Sequence, residues 1–319
     1  MTALPADFPD WMPPMLVKEL RQGMRAKLFL APFVLIHAFA IGAVAVEFSA
    51  FGQSEFSGTH SAVSVVAQMA FGSLWFVAST VLLLVIPARG IIALQGEAGV
   101  NAELLFTARL TTWRIVVGKW LVLCAQAWLV LISLLPYLIV RYFMGGMNIG
   151  ANMLAVAYLV AANATVTALC IGASGYANNL QRVILVFTGL GAITFTAVLP
   201  AASSLYALGS WGGSGLALWL PLLMGTYCFA TFALYVLLGL QLGRGRLARS
   251  SPYPYEVSPS RQAVVLIIAT PFILGMTAAM TVGLGAPVVV ALLIVAAARM
   301  NPARRAPASS TALYPVARA

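Results

Sequence analysis

Six runs free of Asp, Glu, Lys and Arg dominate the chain, at residues 28–46, 65–86, 120–140, 153–174, 183–206 and 215–242. About 20 apolar residues of helix cross the hydrocarbon of a bilayer, and an open chain buried there must satisfy its backbone polar groups internally. Each run has that length, so six transmembrane helices are predicted. A seventh run, 263–298, is about twice as long as one span needs and is broken by Gly-Leu-Gly-Ala-Pro at 283–287, which predicts a helical hairpin. Two arms there bring the expected total to eight spans.

The polar intervals differ in kind. Residues 15–27, MLVKELRQGMRAK, put Leu16, Leu20 and Met24 on one helical face and Lys18, Arg21 and Arg25 opposite, the pattern of a helix lying in a membrane interface with its cations toward lipid phosphates. The plain alternative is a basic flank ahead of the first span. Residues 243–261 are rich in Pro, Ser and Arg and predict an irregular linker. Residues 301–319 predict a disordered tail. The opening segment MTALPADFPDWMPPM has no basic region followed by a cleavage site, so no removable signal peptide is expected.

Composition sharpens this picture. Of 319 residues, 61% are hydrophobic and 8% charged, with a mean hydropathy of +0.96, beyond what a soluble surface carries. The chain reads as an integral membrane protein with no stretch for a water-soluble catalytic domain, which excludes a built-in ATPase. A net charge of +10 in a soluble protein would suggest nucleic acid. Here seventeen of the eighteen basic residues lie before the first span, in alternate connections or after the last span, and Arg141 alone lies among the others. Basic residues collect on the cytoplasmic side of short loops, so both termini and the segment between spans two and three are expected in the cytoplasm of a cell bounded by an inner membrane. The number of crossings is then even.

Little in the chain promises covalent chemistry. All eight acids fall outside or at the edges of the predicted spans, which disfavours a proton-coupled carrier with a midplane carboxylate and a metal enzyme with clustered acids. No catalytic, metal or cofactor site is expected. Cys124, Cys170 and Cys228 lie inside apolar runs and read as small core residues. Gly172-Ala-Ser-Gly175 matches the GxSG string of rhomboid-like proteases, but both histidines, His37 and His60, precede it. Close helix packing is the simpler reading of its small residues. His37 reads as a hydrogen-bonded helix residue inside the bundle. Asn163 heads an Asn-Ala-Thr sequon but lies mid-span, where no glycan can be attached. Polar residues within spans, including Gln68, Ser79, Thr80, Gln126, Ser133, Asn163, Thr165 and Thr167, could line a path or bond between helices.

The segment between spans two and three, RGIIALQGEAGVNAELLFTARLTTWRIVVGKW, is far longer than a helix connection requires. Asn101 can cap a short helix whose first turn carries Glu103, followed by Leu104, Leu105 and Phe106, three apolar residues that need a cover. They could lie flat against the bilayer, against the protein's own helix ends, or against a partner. The ordered set Arg89, Glu97 with Gly99, Glu103-Leu104-Leu105, Thr107, Leu110, Arg114-Ile115 and Gly118-Lys119 resembles the loop of type-2 ABC transporter permeases, the export class. The resemblance covers about residues 15–243. It departs from the family at Gln95-Gly96-Glu97, where a charged pair is usual, and in the hairpin beyond the six-span core.

The resemblance implies an all-α bundle with residues 1–27 a tail and elbow helix and 28–243 the six-span permease core with a coupling loop at 89–119, while the linker at 244–262, the hairpin at 263–299 and the tail at 300–319 follow from the hydropathy and composition alone. It implies a docking helix in the groove of an ABC ATP-binding subunit, formed by Glu97, Gly99, Glu103, Leu104, Leu105, Phe106, Thr107 and Arg109. Lys18, Arg21 and Arg25 would face membrane lipids, and a second permease copy or homologous permease would complete a dimer. Two other classes stay open: a secondary transporter or channel needing no ATPase, and a membrane anchor subunit of a larger complex.

Overall fold

The computed structural model describes residues 14–57, 69, 72–95, 112–144, 149–200, 215–249, 260–281 and 286–300, and every regular element among them is helical. In chain order these are α1 (Pro14–Arg25), α2 (Lys27–Ser57), α3 (Gly72–Ile92), α4 (Thr112–Met144), α5 (Ile149–Ser174), α6 (Asn179–Val198), α7 (Gly215–Arg249), α8 (Ser260–Thr281) and α9 (Ala286–Arg299). Six stretches are long and apolar enough to cross a membrane, within α2 to α7: Phe29–Ser49, Gly72–Ile92, Thr112–Phe143, Asn152–Ser174, Asn179–Val198 and Leu223–Leu247.

Their boundaries move where packing outweighs local composition. Helix α4 starts at Thr112, two turns before the predicted span, because Ile115 and Val116 are buried in the bundle despite the charges at Arg114 and Lys119. Helix α7 runs through to Arg249, so 243–249 is helix where an irregular linker is expected. Leu247 is buried there, and the Arg246 guanidinium lies 3.6 Å from the centroid of the Tyr176 ring. Helices α8 and α9 pack on α7 and on each other. At about 1.5 Å per residue, the 14 residues of α9 fall short of the hydrocarbon thickness. Beside the six long helices, α8 with 22 residues and the shorter α9 form a pair whose apolar stretches are Arg261–Thr277 and Ala286–Arg299. The hairpin's connection at 282–285, the rest of the linker and the tail lie outside the described residues.

Helices α5 and α7 form the spine between two apolar clusters, one shared with α2, α3 and α4 and the other with α6, α8 and α9. Small residues bring these two backbones together. A Cβ on Gly172 would sit 2.5 Å from the Gly239 carbonyl oxygen, and one on Gly239 would sit 2.7 Å from the Ala168 carbonyl. Ala168 with Gly172 and Gly239 with Gly243 are each four residues apart, so both pairs line up along facing helix stripes.

Candidate functional site

Residues 96–111 lie outside the described residues. The proposed docking positions Glu97, Gly99, Glu103, Leu104, Leu105, Phe106, Thr107 and Arg109 therefore have no structural account. The structure does describe how the chain enters and leaves that segment.

The entry is held in place by three hydrogen bonds and one close packing contact, and the first of them arises from a proline. Val81–Val85 is a π-helical turn in which the Ile86 N–H donates to the Val81 carbonyl. In that register the Leu82 carbonyl would accept from residue 87, but Pro87 has no N–H. Asn163 on α5, 2% exposed, donates its side-chain amide to the Leu82 carbonyl instead. One turn on, the Arg89 Nη1 donates to Gln126 Oε1 on α4 at 2.5 Å. Gly90 then packs against Cys170 and Ile171, where a Cβ would meet side-chain carbons at 3.2 Å. Finally the Leu94 N–H donates to Ser174 Oγ at 3.3 Å, while that hydroxyl donates to the Ile171 carbonyl at 2.6 Å. Ser174 thus joins the ends of α3 and α5. With both its bonds engaged in this way, the GxSG string is packing and capping, as its small residues suggest.

The exit is held by α1. Lys119 Nζ lies 3.0 Å from Glu19 Oε1, and both side chains are mostly buried. Met24 packs into the core cluster, while Arg21 and Arg25 are exposed, the division of faces that the sequence predicts. The Lys18 side chain is outside the described residues. At Gly23, α1 approaches so closely that a Cβ would collide with Gln126 Nε2. Gln126 therefore contacts both sides, bonding Arg89 and abutting α1. Ala26 breaks the helix before α2 begins, its N–H bonded to the Gly23 carbonyl. No spacing rule pointed to Glu19, Gln126 or Arg89 as a group, because they come from three separate helices.

The same end of the bundle collects further cations. Arg182, 8% exposed, bonds the Tyr176 carbonyl, the Ala177 carbonyl at 3.3 Å and Asn179 Oδ1 at 3.0 Å. It straps the turn between α5 and α6, whose first turn is capped by Asn178 accepting from the Leu180 N–H. Arg244 stacks over Trp113 at 5.9 Å. A cleft of about 430 Å³ lies between Gln95, Tyr176, Arg182 and Arg246, beside the point where the chain leaves for 96–111.

At the other end, Glu47 on α2 and Arg141 on α4 meet at 3.3 Å with side chains 5% and 14% exposed. These are the edge charges of two predicted spans, and the structure pairs them. Of the polar residues considered as path lining, Thr80 and Ser133 bond carbonyls of their own helices, and Thr165 bonds the Ala161 and Phe232 carbonyls. They are structural bonds within and between helices. His37 Nδ1 bonds the Phe33 carbonyl at 2.7 Å, and its ring meets Tyr137 edge-on at 5.8 Å. The three cysteines are free thiols at buried or half-buried positions. Among the described residues no group of His, Cys, Asp and Glu could hold a metal.

These features define a multi-pass α-helical membrane protein with a tightly braced, basic end. No family model, curated protein or solved structure matches the chain.

Proposed function

We propose that the chain is the permease subunit of an ATP-driven exporter of the type-2 ABC class, working as a dimer with separate ATP-binding subunits and with its basic end in the cytoplasm. The observation that carries this reading is the bracing on both sides of 96–111. A segment that transmits force must be held rigidly where it joins the moving helices. Here Asn163, Gln126 and Ser174 hold its entry and the Glu19–Lys119 pair holds its exit. The six-span bundle and the amphipathic α1 seated across its base agree with the family resemblance. In this reading α1 is the elbow, with Lys18, Arg21 and Arg25 toward lipid. Glu97 to Arg109 is the coupling helix, and nucleotide-driven closure of the ATPase moves α3 and α4 as rigid bodies between two access states.

A secondary transporter would carry polar or charged residues at its midplane and inverted repeats, and a coupling charge there is the most specific of these signs. Glu47, the one acid that is buried among the described residues, lies two residues from the end of its span and is paired with Arg141. That favours the ATP-driven reading. Purification of the tagged chain from its native membrane tests it: an ATP-binding subunit comes with the wild type and is lost with Leu105→Asp, although the variant inserts normally. A wild-type chain that transports with no ATPase attached would favour the secondary transporter.

A further inference from the structure

A cavity of about 870 Å³ lies between α6, α7 and the hairpin α8–α9, lined by Gly191, Phe195, Thr196, Tyr227, Phe272 and Gly275 among others. Its lining is apolar and holds no charged side chain among the described residues. Phe195 and Phe272 stand at its mouth, 71% and 74% exposed, on helices whose outer surfaces are apolar. On α6 the cavity follows the π-helical turn Thr194–Val198, where the Leu199 N–H reaches back to the Thr194 carbonyl.

Two glycines keep the space open from facing walls. A Cβ built on Gly191 of α6 or on Gly275 of α8 meets nothing within 4 Å. Glycine is a much poorer helix former than alanine, and neither position needs it for a close backbone approach.

What occupies such a space is constrained by physics. A void of this size lined by side chains with no partner atoms forfeits their dispersion contacts. Water needs two to four polar partners; of the polar side chains in the lining, Thr188, Thr196 and Tyr227, the Thr196 hydroxyl is already bonded to the Ala192 carbonyl at 2.7 Å and to the Tyr235 hydroxyl at 3.2 Å, which leaves few for a space of this size. The medium at the mouth of an apolar span is hydrocarbon. We infer that this cavity is a lipid site, entered sideways between α6 and α8 by the acyl chain of a bilayer glycerolipid, whose headgroup stays at the membrane surface. Since lipid tails and the cavity wall are equally apolar, selectivity comes from shape, and a volume within the roughly 300–1,000 Å³ of ordinary ligand pockets suits a chain held in a defined place. The inference rests on the membrane fold and stands apart from the exporter reading.

Ala192 and Leu274 make the test decisive, because they line the cavity yet are only 5% and 2% exposed, so a lipid reaches them only from inside. The full-length protein is placed in phosphatidylcholine–phosphatidylglycerol vesicles containing a phospholipid with a diazirine in mid-chain, irradiated, and its peptides mapped. Label is expected at Ala192 and Leu274 as well as at the exposed Phe272. In Gly191→Leu/Gly275→Leu, which fills the space from both walls, label at the two buried positions is lost and that at Phe272 persists. Gly191→Leu alone gives the same reading at Ala192 should the double variant fail to insert. Absence of label at Ala192 and Leu274 in the wild type, or labelling there that survives the filled cavity, would each overturn the inference.

Discussion

At the scale of single residues, the bundle is held by a few polar side chains whose partners are carbonyls or charges on other helices. Asn163 carries the clearest consequence, because it completes a bond that Pro87 cannot make. Asn163→Ala strands the Leu82 carbonyl in an apolar interior, at a cost of about 1–3 kcal/mol. Pro87→Ala restores an N–H to α3, so the double variant is expected to lose less than the sum of the singles, as read by unfolding in mixed micelles. Additive losses would show that the two residues act independently. The Glu47–Arg141 pair behaves differently. Arg141→Ala leaves a carboxylate buried and unpaired and costs about 3–5 kcal/mol, whereas Glu47→Gln/Arg141→Gln is expected to be far milder. Equal losses in the two variants would mean that the ion pair contributes nothing specific. Neither partnership was legible from the sequence. Asn163 read as one polar residue among several in the spans, and Glu47 and Arg141 as separate edge charges. Pairing across helices depends on how each helix is rotated about its own axis, and a helix that is apolar on all sides carries no stripe from which to read that rotation.

Helices as units were much more legible, since each long run of hydrophobic residues forms a helix and the small residues at 172–175 pack as expected. The boundaries of α4 and α7 were not legible, because buried residues beyond the charged positions extend both. The amphipathic α1 is the one helix whose exposed face was evident, with Arg21 and Arg25 exposed. Packing of α5 on α7 should be the most sensitive helix contact. A side chain at Gly239 meets backbone rather than a movable side chain, so Gly239→Val should destabilise by about 1–3 kcal/mol. Gly42 has open space, and Gly42→Ala should be neutral or slightly stabilising in the same melts. Comparable destabilisation by both substitutions would show that the α5–α7 contact is no tighter than an ordinary helix surface.

For the whole molecule, the distribution of charge predicts the orientation, and the bracing supports the proposed mechanism. Cations from α3, α4, α6 and α7 gather at one end, and Arg141 sits at the other, already paired with Glu47. Cysteines introduced at 109 or 249 should resist a membrane-impermeant thiol reagent in intact cells, while those at 57 or 148 should react. Modification at 109 from outside would invert the topology. The six-helix body is legible in the hydrophobic pattern, whereas the bracing is not, because Arg89, Gln126 and Glu19 are brought together only by the packing of α1, α3 and α4.

The central claim is that 96–111 passes force between the bundle and an ATPase, and the most direct measurement is ATP hydrolysis by the complex reconstituted in vesicles. Burying side chains such as Leu104, Leu105 and Phe106 is worth roughly 1.5–3 kcal/mol each, and a carboxylate in their place is an uncompensated buried charge. The wild-type chain is expected to stimulate hydrolysis, Leu105→Asp to abolish the stimulation while inserting normally, and Glu103→Gln, which alters only charge at a helix start, to weaken it. A Leu105→Asp chain that still binds the ATPase and stimulates it fully would contradict the claim.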